Sequence, residues 1–217
     1  MTQFRTVVLT SLMLALGGAA AQAQPGGKPM QTLQMPAMPE PARVTLNPKT
    51  TALVVLDYVE DICAAQPKCK SQMLPAMTPF MERVRKAGIT VAYGTRQQNM
   101  TKWLPEVAPA AGDIKIVNTA QDRFYNTDLD KELKAKGVTT IIMVGWKVSG
   151  SVAYTSVGAT VRGYTVVIPM DTTTAATDYE TAIGFYQILN GGNANLKNEP
   201  LKPQSTTLSR TDLVTFQ

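Results

Sequence analysis

The sequence predicts an α/β fold: a three-layer α/β/α, Rossmann-like domain around a mainly parallel sheet of about six strands. Three observations carry that expectation. Short β-branched, apolar runs recur from Thr51 onward, segments with helical periodicity fall between them, and glycines stand at several of the joints. Strand, helix, strand in this order implies right-handed βαβ crossovers, which place helices over a sheet of parallel strands.

The elements follow in order. Thr51-Ala-Leu-Val-Val-Leu-Asp57 is a continuous apolar run, as expected of a strand buried on both faces. A helix is predicted from about Gln72 to Ala87, where Met73, Met77, Phe80, Met81 and Val84 share one stripe, and Gly88 ends it. Ile89 to Tyr93 is the next strand, and Ile114 to Val117 is a short one. Thr127 is placed to cap a helix that starts at Asp128 and runs through Leu129 and Leu133 to Gly137. Thr139 to Val144 is another buried strand, ending at Gly145. A helix from about Ser149 to Arg162, a strand from Tyr164 to Ile168, a helix from Tyr179 to Asn190 and a closing strand from Thr206 to Leu208 complete the pattern.

Residues 1–23 are expected to lie outside this domain. Arg5 precedes an apolar core, Val7 to Leu16, and Ala21-Gln22-Ala23 offers the small-x-small pattern of a signal-peptidase site. The core is too short to span a bilayer. The mature protein is therefore expected to be exported, periplasmic or secreted, with no membrane attachment once the leader is removed. Residues 24–48 are rich in Pro and Met, lack apolar periodicity and read as a linker, which leaves 49–217 as the domain. Export bears on Cys63 and Cys69, which flank Ala-Ala-Gln-Pro-Lys: in an oxidising compartment a short-loop disulfide is the default reading. The competing reading, a reactive thiol, lacks an activating imidazole.

Composition excludes several functions. There is no histidine, which removes every Ser-His-Asp triad and the commonest zinc ligand. Two cysteines cannot make a four-cysteine zinc site, and neither a metal nor any other cofactor is expected. The net charge of +5, from 21 basic and 16 acidic residues without a basic run, gives no case for nucleic acid. Nucleotide binding is disfavoured too, because the chain has neither a Walker loop nor Gly-x-Gly-x-x-Gly.

In open parallel sheets, ligands bind beyond the carboxyl ends of the strands. Asp57 closes the first central strand there, and Gly145-Trp-Lys-Val-Ser-Gly-Ser151 follows a later one. Taken singly, an acidic residue at a strand end and a Gly-to-Ser turn are more often caps than catalysts. The helix start at Ser151 nonetheless offers unpaired N–H donors to an anion or a developing oxyanion.

Four stretches, in order and spacing together, resemble the isochorismatase-like cysteine hydrolases. They are Thr51 to Asp61, Phe124-Tyr-Asn-Thr-Asp-Leu129, Gly145 to Thr155, and Gly163 to Asp171. The resemblance covers about 51–215 and implies the α/β/α fold, a small-molecule substrate and homo-oligomers. It also implies a site built from an aspartate, a lysine and a cysteine, of which this chain keeps one. Asp57 stands at the aspartate position, Asn118 at that of the lysine and Ser151 at that of the cysteine. The family turn further implies a cis peptide at Trp146–Lys147, with the Lys147 and Ser151 N–H groups as oxyanion donors. Arg123 and Lys147 are candidates to replace the lost lysine charge. The expectation is a hydrolase of a small amide, ester or vinyl ether, with Asp57 as acid/base and Ser151 as nucleophile or polar contact. The alternative is a non-catalytic binder or scaffold on the same fold.

Overall fold

The computed structural model describes residues 32, 34, 35, 37–97, 102–191 and 193–217. The proposed signal peptide lies outside these residues, as do residues 24–31, 33 and 36 of the proposed linker. The central strand β2, Thr51–Leu56, is buried along its whole length, and the pleat sends alternate side chains to opposite faces. Ala52, Val54 and Leu56 point into one apolar cluster, and Leu53 and Val55 point into another. Those two clusters are the two cores of a three-layer α/β/α sandwich.

The strands around β2 are β3 (Thr90–Thr95), β4 (Ile114–Val117), β5 (Thr140–Trp146), β6 (Thr165–Pro169), β7 (Thr173–Thr174) and β8 (Thr206–Ser209). Together they make a seven-stranded parallel sheet in the order β4-β3-β2-β5-β6-β8, with β7 paired to the end of β5. Helix α2 (Leu74–Lys86) packs Met77, Phe80, Met81 and Val84 on one face. Helices α3 (Leu129–Ala135), α4 (Ala153–Thr160) and α5 (Asp178–Asn190) cover the other. Chain order runs outward from β2 through β3 to β4, then restarts at β5 and runs outward the other way. The reversal falls between β2 and β5, where the connections leaving the two strands diverge and open a crevice.

Three features differ from the sequence expectation. Residues 37–48 are not linker: they belong to the same compact unit as the sheet. Val44–Leu46 forms strand β1, which pairs in parallel with β9, Val214–Phe216, and buries Val44 and Leu46. A three-residue strand is too short to show periodicity, so its partner at the far end of the chain decides it. The expected six strands miss β7, again for its length. A short helix α1, Glu60–Ala65, also escaped the reading, because its stability comes from what it packs against.

Cys63 of α1 is disulfide-bonded to Cys69 in the next turn, with Cα atoms 5.1 Å apart and both residues buried. By loop-closure entropy, replacing both cysteines with serine should lower unfolding stability in urea by about 2 kcal/mol. Thiol titration of the denatured, unreduced protein should find no free thiol.

Candidate functional site

The crevice between β2 and β5 is where Asp57 and Ser151 meet. Asp57 follows β2 directly with a left-handed backbone, φ +56°, which Asp tolerates better than most residues. Its N–H donates to Gly94 O at 3.0 Å, so the turn stays tied to the end of β3. Beside it, β5 must come very close. Gly145 has φ +137°, and a Cβ there would lie 2.0 Å from Leu56 O. Only glycine fits, and the close approach carries the Trp146-to-Val152 turn over Asp57. The Trp146–Lys147 peptide is cis. The turn ends in the segment Val148–Val152, kinked at Gly150, which holds Ser151 just ahead of α4.

Asp57, Arg123 and Ser151 form a closed triangle of hydrogen bonds. The Ser151 hydroxyl donates to Asp57 Oδ2 at 2.9 Å, and Arg123 Nη2 donates to the same oxygen at 2.8 Å and to Ser151 Oγ at 3.2 Å. All three are buried: the two charged side chains are 1% and 0% exposed, and Ser151 is 4% exposed. Arg123 Nη1 donates to the carbonyls of Ala120 and Asn118. Among the described residues two buried atoms at the centre lack a partner, Asp57 Oδ1 and Arg123 Nε.

The electrostatics follow from burial. Desolvation pushes the Asp57 carboxyl above its ordinary value of 3.8, opposed by the Arg123 charge, the two hydrogen bonds and, more weakly, Arg96. Burial also lowers Arg123, while Asp57 holds it up; a guanidinium starts so high that it stays charged. The carboxylate is therefore a stronger base than one in water, held ionised by a fixed cation.

The loop that delivers Arg123 is pinned to α4. The Arg123 N–H donates to Thr155 Oγ1, the Thr155 hydroxyl donates to Gln121 O, and the Thr127 hydroxyl donates to Arg123 O. Gly158 lets Asp122 lie against the helix, since a Cβ there would come within 2.5 Å of the carboxylate. Gly94 likewise leaves room for the Arg123 stem.

The sequence candidates divide on this geometry. Asp57, Ser151 and Arg123 come together. Asn118 does not join them: its Nδ2 donates to Asp122 O and Tyr125 O, which makes it a brace of the loop. The cationic position is filled from Arg123, five residues along. Lys147 lies on the pocket wall with Nζ 2.5 Å from Glu180 Oε1, so its charge is largely spent on that pair. The pocket above the triangle holds about 300 Å³. Asp61, Ile62, Gln66, Arg96, Gln121 and Trp146 also line it, and sequence reasoning named none of these as site residues. Arg96 was in reach, since it directly follows β3 on the sheet edge already singled out. Among the described residues no cluster of His, Cys, Asp and Glu is suited to a metal ion.

A carboxylate after one central strand and a hydroxyl after its neighbour define the class: a doubly wound α/β domain with a pocket at its switch point. Within that class the chain belongs to the isochorismatase family, whose Isochorismatase domain matches residues 51–194. An uncharacterised isochorismatase family protein of Escherichia coli O157:H7 is 31% identical over 156 residues, which span 60% of this chain and 83% of that protein. A ureidoacrylate amidohydrolase of Rhizobium rhizogenes is 26% identical over 168 residues, 53% of this chain and 65% of the relative, so the chain spans just under two thirds of that enzyme. Among solved structures, N-carbamoylsarcosine amidase from Thermoplasma acidophilum superposes with a TM-score of 0.61 at 22% identity, over 75% of this chain and 97% of that one. The fold is thus that of the family's hydrolases.

Two outcomes test the buried pair. Arg123→Met strands a buried carboxylate and should cost ~3–5 kcal/mol in urea unfolding, part of which the added change Asp57→Asn should restore. Because folding raises the Asp57 pKa, the folded chain binds that proton more tightly than the unfolded chain. This group's contribution to stability is then greatest at pH values below the unfolded pKa and falls as pH rises through the folded one. The Asp57 carboxyl carbon, followed by NMR, should titrate above 3.8.

Proposed function

We propose that the domain hydrolyses a small amide or ester through a serine nucleophile. The observation that carries this reading is the 2.9 Å hydrogen bond from the Ser151 hydroxyl to Asp57, on the floor of a pocket of small-molecule size. The reaction divides into two halves. Ser151 Oγ attacks the carbonyl carbon and its proton passes to Asp57; the tetrahedral oxyanion is received by the Lys147 and Ser151 N–H groups. The C–N or C–O bond then breaks and Asp57 returns the proton to the leaving group. Water attacks the acyl-serine in the same manner, releasing the acid and restoring the hydroxyl.

Each departure from the family's lysine and cysteine has a role in this scheme. Serine needs a base where a thiolate does not, and burial strengthens the carboxylate that must serve. Arg123 keeps the aspartate ionised before attack and orients the hydroxyl. Among the described residues Asp57 Oδ1 is buried and has no hydrogen-bond partner, so Oδ2 alone carries the contacts to Ser151 and Arg123. The disulfide and the apolar leader support action in an oxidising compartment outside the cytoplasm.

One observation favours a second reading, a non-catalytic binder. Arg123 donates to both Asp57 Oδ2 and Ser151 Oγ, which draws electron density from the base and from the nucleophile.

Purified protein assayed against short-chain amides and 4-nitrophenyl esters decides between them. The hydrolase reading expects turnover that Ser151→Ala and Asp57→Asn each lower by at least ~10²-fold, the lower range for a lost acid/base group. Turnover that survives both changes removes the mechanism. An inactive parent that gains activity as Ser151→Cys with Asn118→Lys supports the binder.

A further inference from the structure

Helix α1 supplies a wall of the pocket, and little in its own sequence holds it. Asp61, Ile62 and Ala65, with Gln66 just beyond the helix, line the same pocket as Asp57 and Ser151. Six residues are too few for a helix to persist in water, and Val59 at its N-cap makes no side-chain hydrogen bond. The first end is moored to the chain that follows β3: Glu60 N–H donates to Lys102 O at 2.8 Å, and Val59 forms a β-bridge with Trp103. The second end has less. Among the described residues its hydrogen bonds are local, Cys69 N–H to Gln66 O and the Ser71 hydroxyl to Pro67 O, and Lys68 makes an exposed ion pair with Asp178. Such a pair holds little. The strong tie there is the Cys63–Cys69 disulfide. Both sulfurs lie in the apolar cluster that also contains Met73, Met77 and Trp146, and Cys69–Met73 runs directly into α2. The bond thus fastens the pocket wall to the base of α2.

We infer that the Cys63–Cys69 bond is a positioning element of the pocket: it holds the α1 wall in place, so that a substrate is bound tightly only while the bond is intact. The inference rests on the reading of this pocket as the substrate site and adds a redox condition to it. The reacting groups are referred to other elements, Asp57 to β3 and both Ser151 and Arg123 to α4. Cutting the bond should therefore loosen binding and spare the triangle. The cutting reaction is exchange with a dithiol. One thiolate of the reagent attacks a cysteine sulfur and expels the other cysteine; the second then attacks the reagent's own bonded sulfur and expels the first cysteine. The protein gains two thiols, with the reagent's two protons, and the reagent is oxidised to a disulfide. Both cysteines are buried, so exchange waits on an opening of α1. A ligand held by the wall disfavours that opening, so ligand and bond protect each other.

Reducing the folded protein with excess dithiothreitol tests this without turnover. Trp146 lines the pocket, is 8% exposed and is the one tryptophan left in a Trp103→Phe chain. Reduction should steepen acrylamide quenching of Trp146 and speed amide exchange across residues 63–69, while exchange in β2 and α4 stays as it was. Cys63→Ser with Cys69→Ser should reproduce the reduced state. Leu133→Ala, which weakens the opposite core, should leave both readouts of the oxidised protein unchanged. In turnover, reduction should raise KM about tenfold for whichever short-chain amide or ester the parent cleaves, from re-ordering a few wall side chains on binding, with little change in kcat. If nothing is cleaved yet the wall responds to reduction as stated, the hydrolase reading falls and this inference stands. If quenching and exchange are the same in both redox states, or loosening spreads equally through β2 and α4, the inference is overturned whatever the activity. An active parent whose KM ignores reduction overturns it as well.

Discussion

The site depends on one interaction, the ion pair of Asp57 and Arg123 held out of water. Burying two charges costs several kcal/mol for each, and their attraction offsets that cost only when the remaining donors and acceptors are also engaged. Here most are. Arg123 spends Nη1 on two loop carbonyls and Nη2 on Asp57 and Ser151, and Asp57 Oδ2 accepts from both of its neighbours. The exceptions, Asp57 Oδ1 and Arg123 Nε, lie at the centre of the site, where an unmet hydrogen bond is a standing preference for a ligand.

Packing is what keeps that pair in register. Ser151 and Thr155 lie within one turn of each other at the start of α4, and Thr155 fixes the backbone of Arg123. Ser151 and Arg123 are thus referred to the same helix, and the sheet refers Asp57 to it through Gly145 against Leu56. Close approaches at Gly145, Gly94 and Gly158 make the arrangement compact enough for a side chain the length of arginine to reach the floor of the crevice from a surface loop. A methyl group at any of the three would push on backbone, on the Arg123 stem or on the Asp122 carboxylate.

How much of this the sequence disclosed depends on the range over which each feature is decided. The long strands β2 and β5 and the helix α2 carry their own periodicity, so their places were legible. Strands β1, β7 and β9 are two or three residues long and exist because a distant segment pairs with them. Asp57 and Ser151 were legible as strand-end and helix-start residues. The role of Asn118 was not. Spacing put it at the position of a catalytic lysine, but an amide satisfies itself on nearby carbonyls, and those of Asp122 and Tyr125 are within reach. Arg123 was one of two candidate cations. What favoured it over Lys147 is that Glu180, from a helix far along the chain, claims the lysine.

The two replacements relative to the family pattern make sense together and not apart. An ammonium from position 118 would be a compact point charge facing the carboxylate, sufficient where a thiol readily gives up its proton. A serine hydroxyl keeps its proton near neutral pH, so its direction matters as much as the base that receives it. A guanidinium nitrogen has two N–H bonds diverging in one plane. From Arg123 one points at Asp57 Oδ2 and the other at Ser151 Oγ, which leaves the hydroxyl proton a single good acceptor, the same Oδ2. The arginine thereby aligns the O–H with the base while holding the base ionised. In the proposed reaction the bond from Arg123 to Oγ occupies one lone pair, so attack would use the other.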